Sequence, residues 1–175
     1  MSNNKHPQEE IYLIDWYGPY TLAELKYEED DYLKSVSLYA KYEDHPLYGR
    51  QVLSYIGKVT STKRTIIDRL TDKDHDLDHE IVYTGTIYKF TNWKDADNLG
   101  FNKDEIIRFG KGDDIIISRI EELLIYALWP AGNIRNKSTA RNSWHYRLFN
   151  MGYLGSLPPE VSGHYALYNT PKPDA

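Results

Sequence analysis

Clusters of apolar and aromatic residues between turn signals predict the β-strands of this chain. The stretches 11–17, 35–42, 51–56 and 81–90 have this composition, and the first is closed by Gly18-Pro19. A loop containing Pro46 and Gly49 separates 35–42 from 51–56, so we expect an antiparallel hairpin with a long connection. Alternation in the first hairpin strand places Val36, Leu38 and Ala40 on one face, with Ser37, Tyr39 and Lys41 on the other.

Apolar residues spaced three and four apart predict helices between the strands. Ile66, Ile67 and Leu70 form such a stripe after N-cap candidates at 60–62, and Thr21 with Glu24 has the spacing of a capping box. A short helical piece is expected near 104–107. A longer helix is predicted from Asp113 to just before Pro130, with a buried stripe formed by Ile116, Ile120, Leu123, Leu124 and Ala127.

Composition narrows the class of protein. A chain of 175 residues, 41% of them hydrophobic, predicts one domain spanning 1–175. It has no cysteine, no apolar run of membrane length and a polar start, so we expect a cytoplasmic protein without a membrane partner. The net charge of -5 argues against nonspecific coating of DNA but permits a local basic patch. Sixteen tyrosines and four tryptophans suit half-buried clefts.

Several charged residues stand beside the predicted strands and helices. The strand at 51–56 ends in Gly57 and Lys58, and Arg69 lies at the edge of the first apolar stripe. Glu121 and Glu122 fall in the middle of the long apolar helix. They are either a solvent-facing pair, which periodicity favours, or they place a carboxylate at the rim of a cleft.

Two further segments carry candidate binding residues. The segment 135–147 is basic without an acidic residue, and Trp144 and Tyr146 lie within it, which suits either phosphate contact with base stacking or an ordinary surface helix. Its candidate nucleic-acid contacts are Arg135, Lys137, Arg141 and Arg147. His75 and His79 lie among acids in 72–80, where a charged loop is favoured over a metal site.

The order of these pieces resembles the GIY-YIG nuclease family. Tyr55-Ile56-Gly57 is the second motif, and Ser37-Leu38-Tyr39 resembles the first with serine in place of glycine. Arg69 stands on the following helix, and the run that begins at Glu121 resembles the family's metal-binding helix and selects Asn133. The resemblance covers roughly 35–134. The intervals from Tyr39 to Tyr55 and from Gly57 to Arg69 are longer than usual, and the second leaves Arg64 as a possible substitute for Arg69.

The resemblance implies an α+β fold with a small three-stranded antiparallel sheet flanked by helices. Residues 35–134 would form the catalytic core, with 11–34 and 135–175 as additions. The implied partner is DNA, with a homodimer or a separate protein supplying specificity.

The implied function is a divalent-metal-dependent endonuclease that hydrolyses DNA phosphodiester bonds with Mg²⁺ or Mn²⁺. A carboxylate oxygen is a hard ligand suited to either ion, so Glu121 is the predicted metal ligand. Tyr39 is the expected general base, assisted by the cation of Lys58, and Tyr55 is expected to position water or phosphate. Arg69 is the expected phosphate-binding cation, and Asn133 supplies an orienting amide. The rival hypotheses are a catalytically inactive nucleic-acid-binding module and a protein-interaction module on the same fold.

Overall fold

The computed structural model describes residues 9–71, 81–90, 105–135 and 140–165. The strands in these ranges are β1 (Glu10–Tyr20), β2 (Leu38–His45), β3 (Gly49–Lys58), β4 (Ile81–Lys89), β5 (Ile106–Ile107), β6 (Tyr146–Gly152) and β7 (Glu160–Ser162). The helices are α1 (Leu22–Leu25), α2 (Asp30–Leu33), α3 (Ile66–Leu70) and α4 (Asp114–Leu128).

All seven strands belong to one curled sheet that forms a half-barrel, so the predicted three-stranded sheet is wrong. The strand order is β3-β2-β4-β1-β6-β7, and β5 pairs with β4 off this path. Each pairing is antiparallel except that of β1 with β6, which is parallel. The prediction failed because the segments before residue 35 and after residue 134 supply β1, β6 and β7 to the same sheet. The proposed division of the chain at these two positions stays a prediction.

The strand β1 lies inside the sheet, between β4 and β6. Residues 12–16 are buried in succession because elements cover both faces of the sheet, so they do not alternate between core and solvent. The predicted end of the strand at Gly18-Pro19 is wrong, since pairing with β4 resumes at Tyr20 opposite Val82 after an irregularity. In β6 the expected alternation is present, with Tyr146, Leu148 and Asn150 buried.

The hairpin of β2 and β3 has longer strands and a shorter connection than predicted. Its strands extend to His45 and from Gly49, so only residues 46–48 join them. The register opposes Tyr39 to Gly57 and Lys41 to Tyr55. Both faces of β2 are covered by packed elements, so residues on each face are buried. The predicted position of Val36 is wrong, because it precedes β2 and packs with Tyr39 rather than with Leu38 and Ala40.

The bounds of the long helix α4 were predicted correctly, with Asp113 as its N-cap and its end before Pro130. Its predicted stripe is wrong at Ala127, which is exposed, and it omitted Ile117 and Ile125, which are buried. The N-cap of α3 is Thr65, which exchanges hydrogen bonds with Asp68 in a capping box, so the predicted caps at 60–62 are wrong. The capping box of Thr21 and Glu24 was predicted correctly and begins α1. Of the helical piece predicted near 104–107, Glu105 has 3-10 helical conformation, but the prediction is wrong for Ile106 and Ile107, which form β5.

Two apolar clusters pack on the sheet. The larger one joins α4 to side chains such as Leu38, Ala40 and Ile56, and the smaller one joins α1 to α3 with Tyr39 and Val59. Successive residues of β2 contribute to opposite clusters, which is the period of two expected for a strand. No helix in the described ranges is both long and apolar enough to cross a membrane.

Candidate active site

The end of β3 and the neighbouring part of β2 bring two tyrosines together. The rings of Tyr39 and Tyr55 lie 6.0 Å apart at 24°. The Tyr39 ring passes across Gly57, where an added Cβ would lie 2.7 Å from Cε1 of Tyr55 and closer still to Cζ of Tyr39. The position therefore needs glycine because the Tyr39 ring occupies the space of a side chain.

A cation and a carboxylate meet at the same strand end. Lys58 Nζ donates a hydrogen bond to Oε2 of Glu121 at 2.6 Å and another to Oγ of Ser118 at 3.2 Å. The side chain of Lys58 is 24% exposed and that of Glu121 is 12% exposed. Glu121 is therefore largely buried against Lys58, and the solvent-facing alternative is wrong for this residue. Ser118 lies one helical turn before Glu121 on α4, so both face Lys58.

Arg69 on α3 acts electrostatically on both Tyr39 and Glu121. Burial raises the pKa of the Tyr39 phenol, and the Tyr55 and Glu121 groups add to this rise, whereas Arg69 opposes it. Burial likewise raises the pKa of the Glu121 carboxyl against the lowering effects of Lys58 and Arg69. Arg64 is exposed and precedes α3. The structure thus places Arg69, rather than Arg64, with Tyr39 and Glu121.

The Tyr39 hydroxyl is the least accessible of the predicted catalytic groups. The residue is fully buried. No described residue forms a hydrogen bond of good geometry with its hydroxyl oxygen. A buried hydroxyl without such a bond is costly, because water would otherwise solvate it.

A further cation, Lys41, lies beside Tyr55. Lys41 is 5% exposed, and its Nζ lies 5.9 Å from the centre of the Tyr55 ring, within the range of a cation–π contact. Sequence analysis placed Lys41 on the face of Tyr39 but did not assign it a role, and it missed Ser118. The alternation of β2 was the available signal for Lys41, because it puts a charged residue between strand positions that are otherwise apolar.

Asn133 fastens the segment after α4 to the outer edge of β3. Its Oδ1 accepts from the backbone N–H of Ile56 at 2.8 Å, and its Nδ2 donates to the carbonyl oxygen of Ile56 at 2.8 Å. The adjacent Gly132 N–H donates to the carbonyl of Ser54 at 2.7 Å. The amide therefore completes the hydrogen bonding of the edge strand that carries Tyr55, and it orients the site through the backbone.

Ser37, which stands where the resembled family has glycine, connects three chain segments. Its hydroxyl donates to the carbonyl of Ile107 at 2.6 Å, and its backbone N–H donates to the carbonyl of Gly85 at 3.0 Å. Its own carbonyl accepts from the N–H of Val59 at 3.0 Å. Ser37 is 1% exposed, so these bonds replace the hydrogen bonds to water that a serine loses on burial.

The predicted nucleic-acid contacts in 135–147 do not converge in the described residues. Arg135 is exposed, whereas Arg147 binds Glu9 at 2.9 Å and Glu160 at 3.4 Å. Only the backbone of Arg141 is described, and Lys137 lies outside the described residues, as do His75 and His79. Arg147 is therefore neutralised by two carboxylates and is a weak candidate for phosphate contact.

The predicted metal ligand is a single carboxylate. Within the described ranges, no three side chains from histidine, cysteine, aspartate and glutamate are grouped so as to hold a metal ion. Magnesium commonly binds proteins through one or two carboxylates and keeps several waters. Glu121 supplies one such carboxylate, which is 12% exposed and whose Oε2 is bound by Lys58. Comparison of the chain with protein-family models, with curated proteins and with solved structures gives no match.

Proposed function

We propose that this protein is a divalent-metal-dependent endonuclease that hydrolyses phosphodiester bonds of DNA. The observation that supports the proposal is the meeting of Tyr39, Lys58 and Glu121 at the end of β3, within the electrostatic influence of Arg69. Four separate elements contribute these side chains. With Lys41 nearby, cations outnumber the carboxylate, so the site has a net positive charge suited to a phosphodiester.

Each side chain has a distinct task in this proposal. Arg69 binds phosphate oxygens and stabilises the negative charge that grows on them as water attacks. Glu121 would hold the divalent ion, which when bound supplies charge neutralisation at the phosphate and at the leaving oxygen. Because Lys58 contacts Glu121, its ammonium group is positioned to donate a proton toward the leaving oxygen.

The proposed base is Tyr39, and its environment restricts how it works. Its raised pKa keeps the phenol neutral near pH 7. A neutral phenol takes a proton from water only as it gives up its own to another group. Tyr39 would therefore act as a relay whose proton passes to Lys58, once Lys58 has protonated the leaving oxygen. The Arg69 guanidinium favours the phenolate character that develops during this transfer, because it opposes the rise in the Tyr39 pKa.

A plasmid-nicking assay with and without Mg²⁺ tests the proposal. We expect Glu121→Gln to lower the nicking rate about 100-fold or more, in the range found when one charge-stabilising group is lost. The matched control is Glu122→Gln, which changes the adjacent, half-buried carboxyl group and should keep the rate near that of the wild type. Equal rates for the wild type and Glu121→Gln, in samples shown to be folded, would remove Glu121 from the mechanism.

A non-catalytic nucleic-acid-binding module is the second candidate, and the buried Tyr39 hydroxyl favours it. A base that is fully buried must become accessible before water can reach it. This alternative predicts DNA binding by the wild type with no metal-dependent nicking at any enzyme concentration. Nicking that requires Mg²⁺ and is lost in Glu121→Gln would exclude it.

A further inference from the structure

A groove with basic walls lies beside the proposed active site. It has a volume of about 300 Å³ and is lined by residues that precede β2, follow β3 and follow β5. We define the basic groove by its cationic side chains, which are Lys34, Lys63, Arg64, Arg108 and Lys111. Among the described residues no aspartate or glutamate lines it. This concentration of positive charge is notable because the whole chain has a net charge of -5.

The basic groove has an apolar floor and hydroxyl groups as well as cations. Leu33, Val36 and Val59 are each at most 5% exposed and form the floor. Ser61, Thr62 and Thr65 also line it. Hydroxyls and cationic side chains are the protein groups that most often contact phosphate and sugar.

One cation of the basic groove, Lys34, forms an exposed ion pair with Asp30 at 4.0 Å, and two further acids nearby accept backbone hydrogen bonds. Asp68 accepts from the backbone N–H of Thr65 at 2.8 Å, and Asp114 accepts from that of Gly110. Arg108 Nε is buried and donates no hydrogen bond to any described residue. The basic groove therefore holds a buried donor, Arg108 Nε, which an anion could satisfy, beside the cationic side chains of Lys63 and Lys111.

Ser37 connects the basic groove to the proposed active site. Its hydrogen bonds to Val59 and Ile107 hold two of the segments that carry the cations, and Tyr39 lies two residues further along the chain. On α4, Ser118 binds Lys58, and Asp114 lies near the basic groove through its bond to Gly110. From Asp114 to Glu121 the helix rises about 10 Å, the length of about three 3.4 Å steps of one DNA strand.

We propose that the basic groove binds the phosphate backbone of a DNA strand beside the bond to be cleaved. This inference rests on the proposed function and names the surface that holds the substrate. The phosphates meet the lysine and arginine side chains, and the deoxyribose contacts the apolar floor. The segment 135–147, which the sequence indicated as the nucleic-acid contact, is not required for this role.

Binding of a fluorescently labelled DNA duplex, measured by anisotropy in EDTA over a series of salt concentrations, tests the inference. The variant Lys34→Ala/Lys63→Ala/Lys111→Ala removes three exposed charges from the basic groove. The matched control Lys26→Ala/Arg50→Ala/Lys89→Ala removes three exposed charges that do not line it.

We expect the groove variant to bind at least tenfold more weakly and to lower the magnitude of the slope of log affinity against log salt by about 2 to 3. The control should keep the wild-type slope. Equal weakening in both variants, or an unchanged slope in the groove variant, would overturn the proposal. Millimolar inorganic phosphate at constant ionic strength should not displace the duplex. If phosphate displaces the duplex from the wild type but not from the groove variant, the basic groove is a site for free phosphate. That result would overturn the proposal that it binds a DNA strand.

Failure of the inference and failure of the proposed function are distinguishable. If the wild type does not cleave DNA but the groove variant alone loses binding, the endonuclease proposal fails and the basic groove stands. If the wild type cleaves DNA and the groove variant has the same KM, the basic groove fails and the endonuclease proposal stands. When both hold, the groove variant raises KM and leaves kcat near the wild-type value, because the contact binds substrate and transition state alike.

Discussion

Replacing Asn133 by alanine tests whether the amide bridge to β3 supports both stability and the site. The Asn133 side chain is the partner of both the N–H and the C=O of Ile56, at 2.8 Å each, and Ile56 is fully buried. Truncation leaves two buried backbone groups without this partner. Each unpaired group costs about 1 to 3 kcal/mol, so we expect a loss of about 2 to 6 kcal/mol in the free energy of unfolding.

Asn150 provides a matched control at the other side of the sheet. It is 4% exposed, compared with 6% for Asn133. Its Oδ1 accepts from Nε1 of Trp16 at 2.9 Å, and its Nδ2 donates to the carbonyl of Pro158 at 2.7 Å. Asn150→Ala therefore removes the same number of side-chain hydrogen bonds and should cost a similar free energy.

The assays are urea unfolding and plasmid nicking at a temperature where both variants are folded. Both variants should lose stability, whereas Asn133→Ala should lower the nicking rate at least tenfold more than Asn150→Ala, because only Asn133 orients the strand that carries Tyr55. A loss of less than about 1 kcal/mol in Asn133→Ala would refute the reasoning about paired backbone groups. Equal nicking rates in the two variants would refute the positional role.

Two further predictions concern the tyrosines. Gly57→Ala should destabilise the protein by about 1 to 3 kcal/mol by overpacking against the rings of Tyr39 and Tyr55. In a Tyr39→Leu background the part of this cost that comes from Tyr39 should disappear, and a urea double-mutant cycle with coupling near zero would contradict the contact. At alkaline pH the folded protein should lose stability from about pH 10 upward. Tyrosines ionise near pH 10 in the unfolded chain, whereas their pKa values are raised in the folded protein. Above pH 10 the unfolded state therefore binds fewer protons than the folded state, and the free energy of unfolding falls as the pH rises toward the folded-state pKa. Tyrosinate absorbance should therefore rise together with the loss of circular dichroism. A full rise in a folded protein would contradict the raised pKa of seven tyrosines, which are Tyr12, Tyr17, Tyr20, Tyr32, Tyr39, Tyr42 and Tyr88.

Local sequence patterns predicted individual elements better than they predicted the sheet. The capping box at Thr21 and the apolar stripe of α4 depend on residues within a few positions, so they were readable. The strand β6 alternates buried and half-buried residues, but Arg147 and the basic residues that precede the strand drew the interpretation toward nucleic-acid binding. Parallel pairing of β1 with β6 joins residues more than 130 positions apart, and no local pattern encodes that partnership.

The basic groove was only partly visible in the sequence. Residues 45–67 contain Arg50, Lys58, Lys63 and Arg64 and no acid, which was an available signal. Lys34, Arg108 and Lys111 come from distant segments. The hydrogen bonds of Ser37 hold the segments of Val59 and Ile107 together. The resemblance to the GIY-YIG motifs marked Ser37 only as a departure from glycine.

By itself, the sequence determined which residue types were available and where the chain forms a hairpin and a long helix. Tyr39, Tyr55, Arg69 and Glu121 became candidates through the resemblance of short motifs to the GIY-YIG family. The tertiary structure decided the size of the sheet, the contact of Lys58 with Glu121 and the attachment of Asn133 to β3. Those features arise from long-range packing and burial, which determine the charge partners and the pKa of a side chain and cannot be read from neighbouring residues.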